Sequence, residues 1–253
     1  MIKYIIGDYM IKLNKKVFIA FDHAVEHGPK VYKNVNLNPI RIAEIAKKGG
    51  ADGIMMHIGA MKYVNENSNF LRGMFKIVKL TAKTPFSEKE LQTFVTSVKE
   101  ASEIADAVAY TVYVGSPYEH EMLKELPNIK QECKKYKLPL MGFMYPRTKN
   151  RYHTDVVQYA TRLGCELGFD FIKTYYTGSK ETFSEVIKTS FRPVFAAGGP
   201  PKKMEEAIEM AKDVMSAGAS GLTIGRTIWM NEKPVSILKK IVKIVHESKN
   251  KTK

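Results

Sequence analysis

The sequence predicts a single-domain α/β protein, a (β/α)8 TIM barrel, and three observations carry that expectation. Eight short β-branched or aromatic runs alternate with longer stretches of helical period. Three helix ends, in KKGGADGIM, CELGFDFIK and MSAGASGLTI, place a Gly where a left-handed C-cap belongs, then Asp or Ser, then an apolar strand. The 253 residues contain no Pro/Gly/Ser-rich linker, and ~250 residues is the usual length of one such barrel.

In chain order, strands are expected at 17–21 (VFIAF), 53–57 (GIMMH), 75–80 (FKIVKL), 107–113 (AVAYTVY), 139–145 (PLMGFMY), 171–176 (FIKTYY), 193–197 (PVFAA) and 221–225 (GLTIG). Most are near-continuous apolar runs, as parallel strands buried on both faces require. Helix starts are marked by Asn38 ahead of Pro39, by Ser87 with Glu90 as a capping box, by Thr154 ahead of DVVQYATRL, and by Pro200-Pro201 ahead of KKMEEAIEMAKDVM. The second βα unit, IGAMKYVNENSNFLRG, shows little helical period and should hold a short helix or an extended loop. Residues 1–14 read as a short N-terminal extension and 248–253, SKNKTK, as a basic tail.

A hydrophobic fraction of 44% with 26% charged residues excludes a disordered or fibrous chain. Lys, Asp or Glu interrupts every apolar run before the ~18 residues a membrane-spanning helix needs, so no membrane partner is expected. Gly7 and Asp8 fall where a secretory signal would have its apolar core, which points to a cytoplasmic protein. Cys133 and Cys165 have no ligand spacing and read as small buried hydrophobes. The formal charge of +14 would suit nucleic acid, an acidic membrane surface or a polyanionic small substrate. The lysines are scattered in pairs such as Lys47-Lys48 and Lys239-Lys240, without any nucleic-acid-binding signature, so solvated helix faces are expected and no nucleic-acid partner.

Barrel active sites are built at the carboxyl ends of the strands. Four places stand out there: Asp22-His23, Tyr145-Pro146-Arg147, Lys173, and the paired glycine turns Gly198-Gly199-Pro200 and Gly225-Arg226-Thr227. Lys173 lies inside an aromatic strand, on the face shared by Phe171 and Tyr175, and is the only lysine expected inside the barrel. Desolvation there would lower its pKa and give a free amine able to form a Schiff base. A strand-end lysine that reaches solvent or pairs with Asp170 is the structural alternative. Asp22 adds a base and Tyr145 a proton donor, although each taken singly fits a structural hydrogen bond equally well. Gly198-Gly199-Pro200 is expected to open a helix and Gly225-Arg226-Thr227 to follow the last strand, their N–H groups and Arg226 holding a phosphate; plain turns are the alternative. His23 and His27 are four apart in a Gly/Pro-bounded loop rather than in a helical HExxH pattern, so no metal or other cofactor is expected.

FDHAVEHGP, AYTVYVGSP, MYPR, DFIKTYYTG, AAGGP and TIGRTIW occur in that order, and from about residue 15 to 246 the chain resembles the archaeal-type class I fructose-1,6-bisphosphate aldolases of the DhnA family, among the DeoC/FbaB aldolases. That resemblance implies a Schiff base on Lys173, Asp22 as the family aspartate, and Tyr145 as the tyrosine that shuttles a proton between bound sugar and solvent water. It places Gly198, Gly199, Gly225 and Arg226 around one phosphate, and His27 and Arg147 among the substrate-binding residues. The implied substrate is a phosphorylated sugar, fructose 1,6-bisphosphate, cleaved to or formed from dihydroxyacetone phosphate and glyceraldehyde 3-phosphate. The implied partner is the chain itself, in a homo-oligomer such as a ring-built decamer.

Departures from the family pattern leave the reacting groups in place: DHG becomes Asp22-His23-Ala24, and YPRG becomes Tyr145-Pro146-Arg147-Thr148. Phe143 replaces a tryptophan, and MYPR resembles a sister group, the 2-amino-3,7-dideoxy-D-threo-hept-6-ulosonate synthases. These use the same lysine for a transaldolase-like transfer to an amino-acid semialdehyde. EHGP, rather than an SNGP-like loop, favours the aldolase. A barrel that binds phosphorylated ligands or nucleic acid without Schiff-base catalysis is a third class, compatible with the charge and supported by no motif.

Overall fold

Alternation along each strand sends side chains into two apolar environments, and this sequence fills both. The computed structural model describes residues 4–6, 9–11, 13–31 and 37–248. Its barrel strands are β1 (Lys16–Phe21), β2 (Gly53–Met56), β3 (Phe75–Lys79), β4 (Ala107–Val114), β5 (Leu140–Pro146), β6 (Phe171–Tyr175), β7 (Val194–Ala197) and β8 (Gly221–Ile224). Each pairs in parallel with its neighbours in chain order, and β8 returns to β1 with Leu222 opposite Val17, closing the expected eight-stranded barrel. Phe18, Met55, Ile77, Ala109, Phe143, Phe171 and Phe195 fill the interior. The alternate residues, among them Val17, Ile54, Val78, Val108 and Ile172, pack outward against the helices.

The helices are α1 (His23–His27), α2 (Pro39–Gly49), α3 (Ile58–Asn67), α4 (Val98–Ala101), α5 (Glu119–Lys135), α6 (Thr154–Glu166), α7 (Lys180–Lys188), α8 (Met204–Ser216), α9 (Arg226–Trp229) and α10 (Pro234–Glu247). Asn38 caps α2 as expected, its Oδ1 accepting from the Ile40 amide at 2.9 Å. The three repeated helix ends do turn through left-handed glycines, Gly50, Gly168 and Gly218, with φ of 80, 84 and 96°. Asp52 and Asp170, which follow the first two of these ends, and Asp106, which follows α4, close the amino end of the barrel; the third end has Ser220 in that place. Asp52, Asp106 and Asp170 each accept, at 2.8 Å, from the amide of Val17, Lys76 and Leu140 on the preceding strand. Asp170 is thereby committed at the amino end of the barrel and does not pair with Lys173.

Several expectations need correction. Ser87 and Glu90 do not start a helix; Ser97 does, its Oγ accepting from the Glu100 amide at 3.0 Å at the head of α4. Thr81–Ala82 and Thr93–Phe94 instead form a small antiparallel ribbon. Thr154 is the first residue of α6, with His153 in the N-cap position. The loop after β7 runs on until α8 begins at Met204, so Gly198-Gly199-Pro200 does not open that helix. The second unit carries α3, the short helix of the two options given for it. Within the N-terminal extension, Tyr4–Ile6 pairs antiparallel with Tyr9–Ile11. Residues 1–3, 7–8 and 12 of that extension, and 249–253 of the basic tail, lie outside the described residues. Cys133 and Cys165 are buried and free. Among the described residues, no helix is long and apolar enough to cross a membrane.

Candidate active site

Strand β6 carries Lys173 to the mouth of the barrel. Phe171, on the same face, lies in the interior core, while Thr174 on the other face donates to the Met144 carbonyl at 3.1 Å. Lys173 is 4% exposed, and its Nζ lies 4.1 Å from the centre of the Phe143 ring and 4.0 Å from Met55 Sδ. Burial lowers its pKa from 10.5 to about 8; Lys79 acts in the same direction, against the pull of Asp22. At neutral pH about one amine in ten is then unprotonated, against fewer than roughly one in a thousand for an ordinary lysine.

Asp22, at the end of β1, has Oδ2 3.4 Å from Lys79 Nζ and Oδ1 3.3 Å from His23 Nδ1. Burial alone would raise its pKa, but Lys79, His23 and Lys173 together hold the carboxyl well below the usual carboxylate range. Lys79 corrects the expectation that Lys173 is the only lysine inside the barrel. Alternation on β3 turns Phe75, Ile77 and Lys79 inward and Lys76 outward, to Asp106 at 2.7 Å. Glu26, on α1, makes a short ion pair with Lys79 and accepts from Gln92 and from the Tyr113 hydroxyl. His57, after β2, is also drawn into this cluster. Burial and then Lys79 lower its pKa, and burial depresses that of His23 to about 3, so both rings are neutral at pH 7.

His23 and His27 occupy the short helix α1 rather than a loop, with their rings stacked 5.6 Å apart. Tyr145, on β5, stacks on Tyr175, and Lys173 Nζ is 5.9 Å from its ring centre. Burial, and after it Tyr175 and Asp22, raise the Tyr145 pKa well above 10, so its hydroxyl keeps its proton. Arg147 lies over the Tyr113 ring at 3.7 Å and donates to Glu90 at 3.0 Å and to the Tyr175 hydroxyl at 2.8 Å. It ties β4, β5 and β6 to the loop bearing Glu90.

The glycine turns separate by cause. A Cβ at Gly198 would sit 2.7 Å from Ile224 Cγ1, and one at Gly225 only 2.5 Å from the Ala20 carbonyl, so packing between strands requires glycine at both. Gly199, by contrast, has φ +69° and open space around a Cβ. Arg226 Nη2 donates to the Gly199 carbonyl at 3.2 Å, while its Nε is buried without a partner among the described residues. That guanidinium and the amides beside Gly199 can receive an anion. His27 is close enough that, after burial, the Arg226 charge is what most lowers its pKa.

A parallel barrel whose mouth holds a desolvated amine, an ion-paired carboxylate and a protonated phenol is equipped for imine chemistry on a carbonyl compound. Residues 16–231 match the DeoC/LacD family aldolases, and the chain belongs to that family. Among its relatives is a class 1 fructose-bisphosphate aldolase of Thermoproteus tenax, 34% identical over 244 residues, covering 93% of this chain and 91% of that protein. Another is 2-amino-3,7-dideoxy-D-threo-hept-6-ulosonate synthase 1 of Archaeoglobus fulgidus, 30% identical over 94% of this chain and 88% of that one. A solved archaeal fructose-1,6-bisphosphate aldolase, with its catalytic lysine covalently bound to the carbinolamine intermediate of the substrate, superposes with a TM-score of 0.87 at 32% identity. The match covers 92% of this chain and 95% of that one.

Proposed function

We propose that the protein is a class I aldolase that cleaves and forms fructose 1,6-bisphosphate, with Lys173 as its Schiff-base lysine. The observation that carries this reading is the Lys173 amine, enclosed at the barrel mouth beside Phe143 with its pKa drawn down to about 8. The Thermoproteus and solved archaeal relatives support the substrate.

In the cleavage direction the Lys173 lone pair attacks the C2 ketone, and loss of water leaves an iminium that draws electrons from the C3–C4 bond. A carboxylate held as far down as Asp22 is a weak base and a strong counter-ion, so it balances the iminium. The C4 hydroxyl proton passes to the Tyr145 oxygen as the tyrosine's own proton leaves to solvent water. The C3–C4 bond breaks, glyceraldehyde 3-phosphate departs, the enamine takes a proton at C3, and water hydrolyses the imine to release dihydroxyacetone phosphate. Arg226, the amides around Gly199, and His27 hold one phosphate; Arg147 fixes the Tyr145–Tyr175 wall.

Borohydride reduction in the presence of dihydroxyacetone phosphate, followed by peptide mass mapping, tests this. The adduct is expected on Lys173, and an adduct on Lys79, or activity surviving Lys173→Ala, overturns it. We also propose a homo-oligomer, which the mass in solution checks. We place this sugar-phosphate lyase in the cytoplasm.

A further inference from the structure

A second lysine shares the barrel mouth with Lys173. Lys79 ends β3 with its side chain 3% exposed, its ammonium against the Glu26 carboxylate and 3.4 Å from Asp22 Oδ2. Glu26 is fixed in turn by Gln92 Nε2, 3.2 and 3.1 Å from its two oxygens, and by the Tyr113 hydroxyl at 3.3 Å. Both lysines look onto one ring: Lys173 Nζ is 4.1 Å and Lys79 Nζ 5.7 Å from the centre of Phe143.

Charges buried to this degree are poorly screened, so the identity of the cation that meets the two carboxylates decides what Lys173 can do. Of the groups around it, His23 and His57 are neutral, and Tyr113 and Tyr145 are protonated phenols. Asp22 and Glu26 pull a proton onto Lys173, and Lys79 opposes them. Without Lys79 the carboxylates would have Lys173 as their buried amine partner, and an ion-paired ammonium has no lone pair for a ketone.

We propose that Lys79 is a positioning residue, a fixed cation that engages Asp22 and Glu26 so that Lys173 reacts as an amine. This rests on Lys173 being the imine-forming lysine. Lys79 itself forms no bond to substrate.

The test is the pH dependence of borohydride trapping by dihydroxyacetone phosphate in the wild type, Lys79→Met, Lys79→Arg and Glu26→Gln. The substrate's phosphate titrates identically in all four, so differences in the acid limb belong to the protein. Lys79→Met should move the midpoint of that limb to higher pH, by on the order of one unit. Lys79→Arg, which keeps the charge, should return it to the wild-type position. Glu26→Gln, which removes one carboxylate while Asp22 still pairs Lys79, should move it to lower pH.

A general loosening of the mouth would not shift the last two in this pattern. A wild-type midpoint in Lys79→Met with only a lower plateau overturns the proposal. If Lys79→Met does not fold, Glu26→Gln decides: a downward shift supports it, and no shift or an upward one overturns it. Absence of any Lys173 adduct in the wild type would overturn the Schiff-base reading itself, and this proposal with it.

Discussion

The rings of Tyr145 and Tyr175 stack with centroids 4.7 Å apart and planes 14° from parallel, and the Tyr175 hydroxyl accepts from Arg147 at 2.8 Å. The ring of Tyr145 is therefore held by stacking, which leaves its hydroxyl to chemistry.

Tyr145→Phe keeps that stack and removes only the hydroxyl. Glyceraldehyde 3-phosphate release from fructose 1,6-bisphosphate is expected to slow by about 10²-fold or more, the usual contribution of a positioned proton-transfer group. Borohydride trapping at Lys173 should persist, because imine formation precedes the step the hydroxyl serves. A raised KM with kcat intact would reduce Tyr145 to a substrate anchor.

Lys173 is costly to the fold, and its removal should show this. Its folded pKa of about 8 lies below the ordinary 10.5, so between those values the unfolded chain binds more protons and the wild type gains stability as pH rises. Below pH 8 the full penalty, roughly 3 kcal/mol at most, is present. Lys173→Met is therefore expected to melt higher at pH 7, by on the order of 5 °C, and to lose part of that advantage by pH 10. A lower Tm at both pH values would show that the amine stabilises the mouth.

The glycine turns allow stability and binding to be separated. Gly225→Ala places a methyl against the Ala20 carbonyl and should lower Tm, whereas Gly199→Ala meets no atom and carries only the strain of φ +69°, about 1 kcal/mol. Arg226→Ala removes a charge-assisted donor worth ~1.5–3 kcal/mol and should raise KM for the bisphosphate by roughly 10- to 100-fold with Tm nearly unchanged. An unchanged KM in folded Arg226→Ala would put the phosphate elsewhere.

The barrel is legible in the sequence because parallel strands buried on both faces leave continuous apolar runs, and because the helix ends with Gly, then Asp or Ser, repeat a single device. The misread capping box has a local cause: Ser87 and Ser97 both stand three residues before a Glu, but only Ser97 precedes an apolar run of helical spacing, Val98, Ala101 and Ile104. Lys173 was visible as a charge inside an aromatic strand. Lys79 was not, because FKIVKL offers two lysines, and only strand parity from Phe75 and Ile77 tells the inward one from the outward one. The meeting of Glu26 with Gln92 could not be found at all, since it joins α1 to a loop 66 residues further along the chain.

Choice of reaction is the most informative measurement, because one imine serves both an aldolase and a transaldolase-like synthase, and the chain has relatives with each name. Phe143 lies next to both lysines, and Glu26, from the Glu26-His27-Gly28-Pro29 segment, supplies the carboxylate that holds Lys79. An aldolase releases its aldehyde to solvent and protonates the enamine, whereas a transferase keeps the enamine until an acceptor arrives. Offered fructose 1,6-bisphosphate alone, the protein is expected to yield glyceraldehyde 3-phosphate over many turnovers, followed by coupled oxidation of the product. Offered a deoxyketohexose phosphate with aspartate semialdehyde, it should form little of the coupled product. The reverse pattern, turnover only when the semialdehyde is present, would assign the chain to the synthases and make the contact between Phe143 and Lys173 the first place to look for the difference.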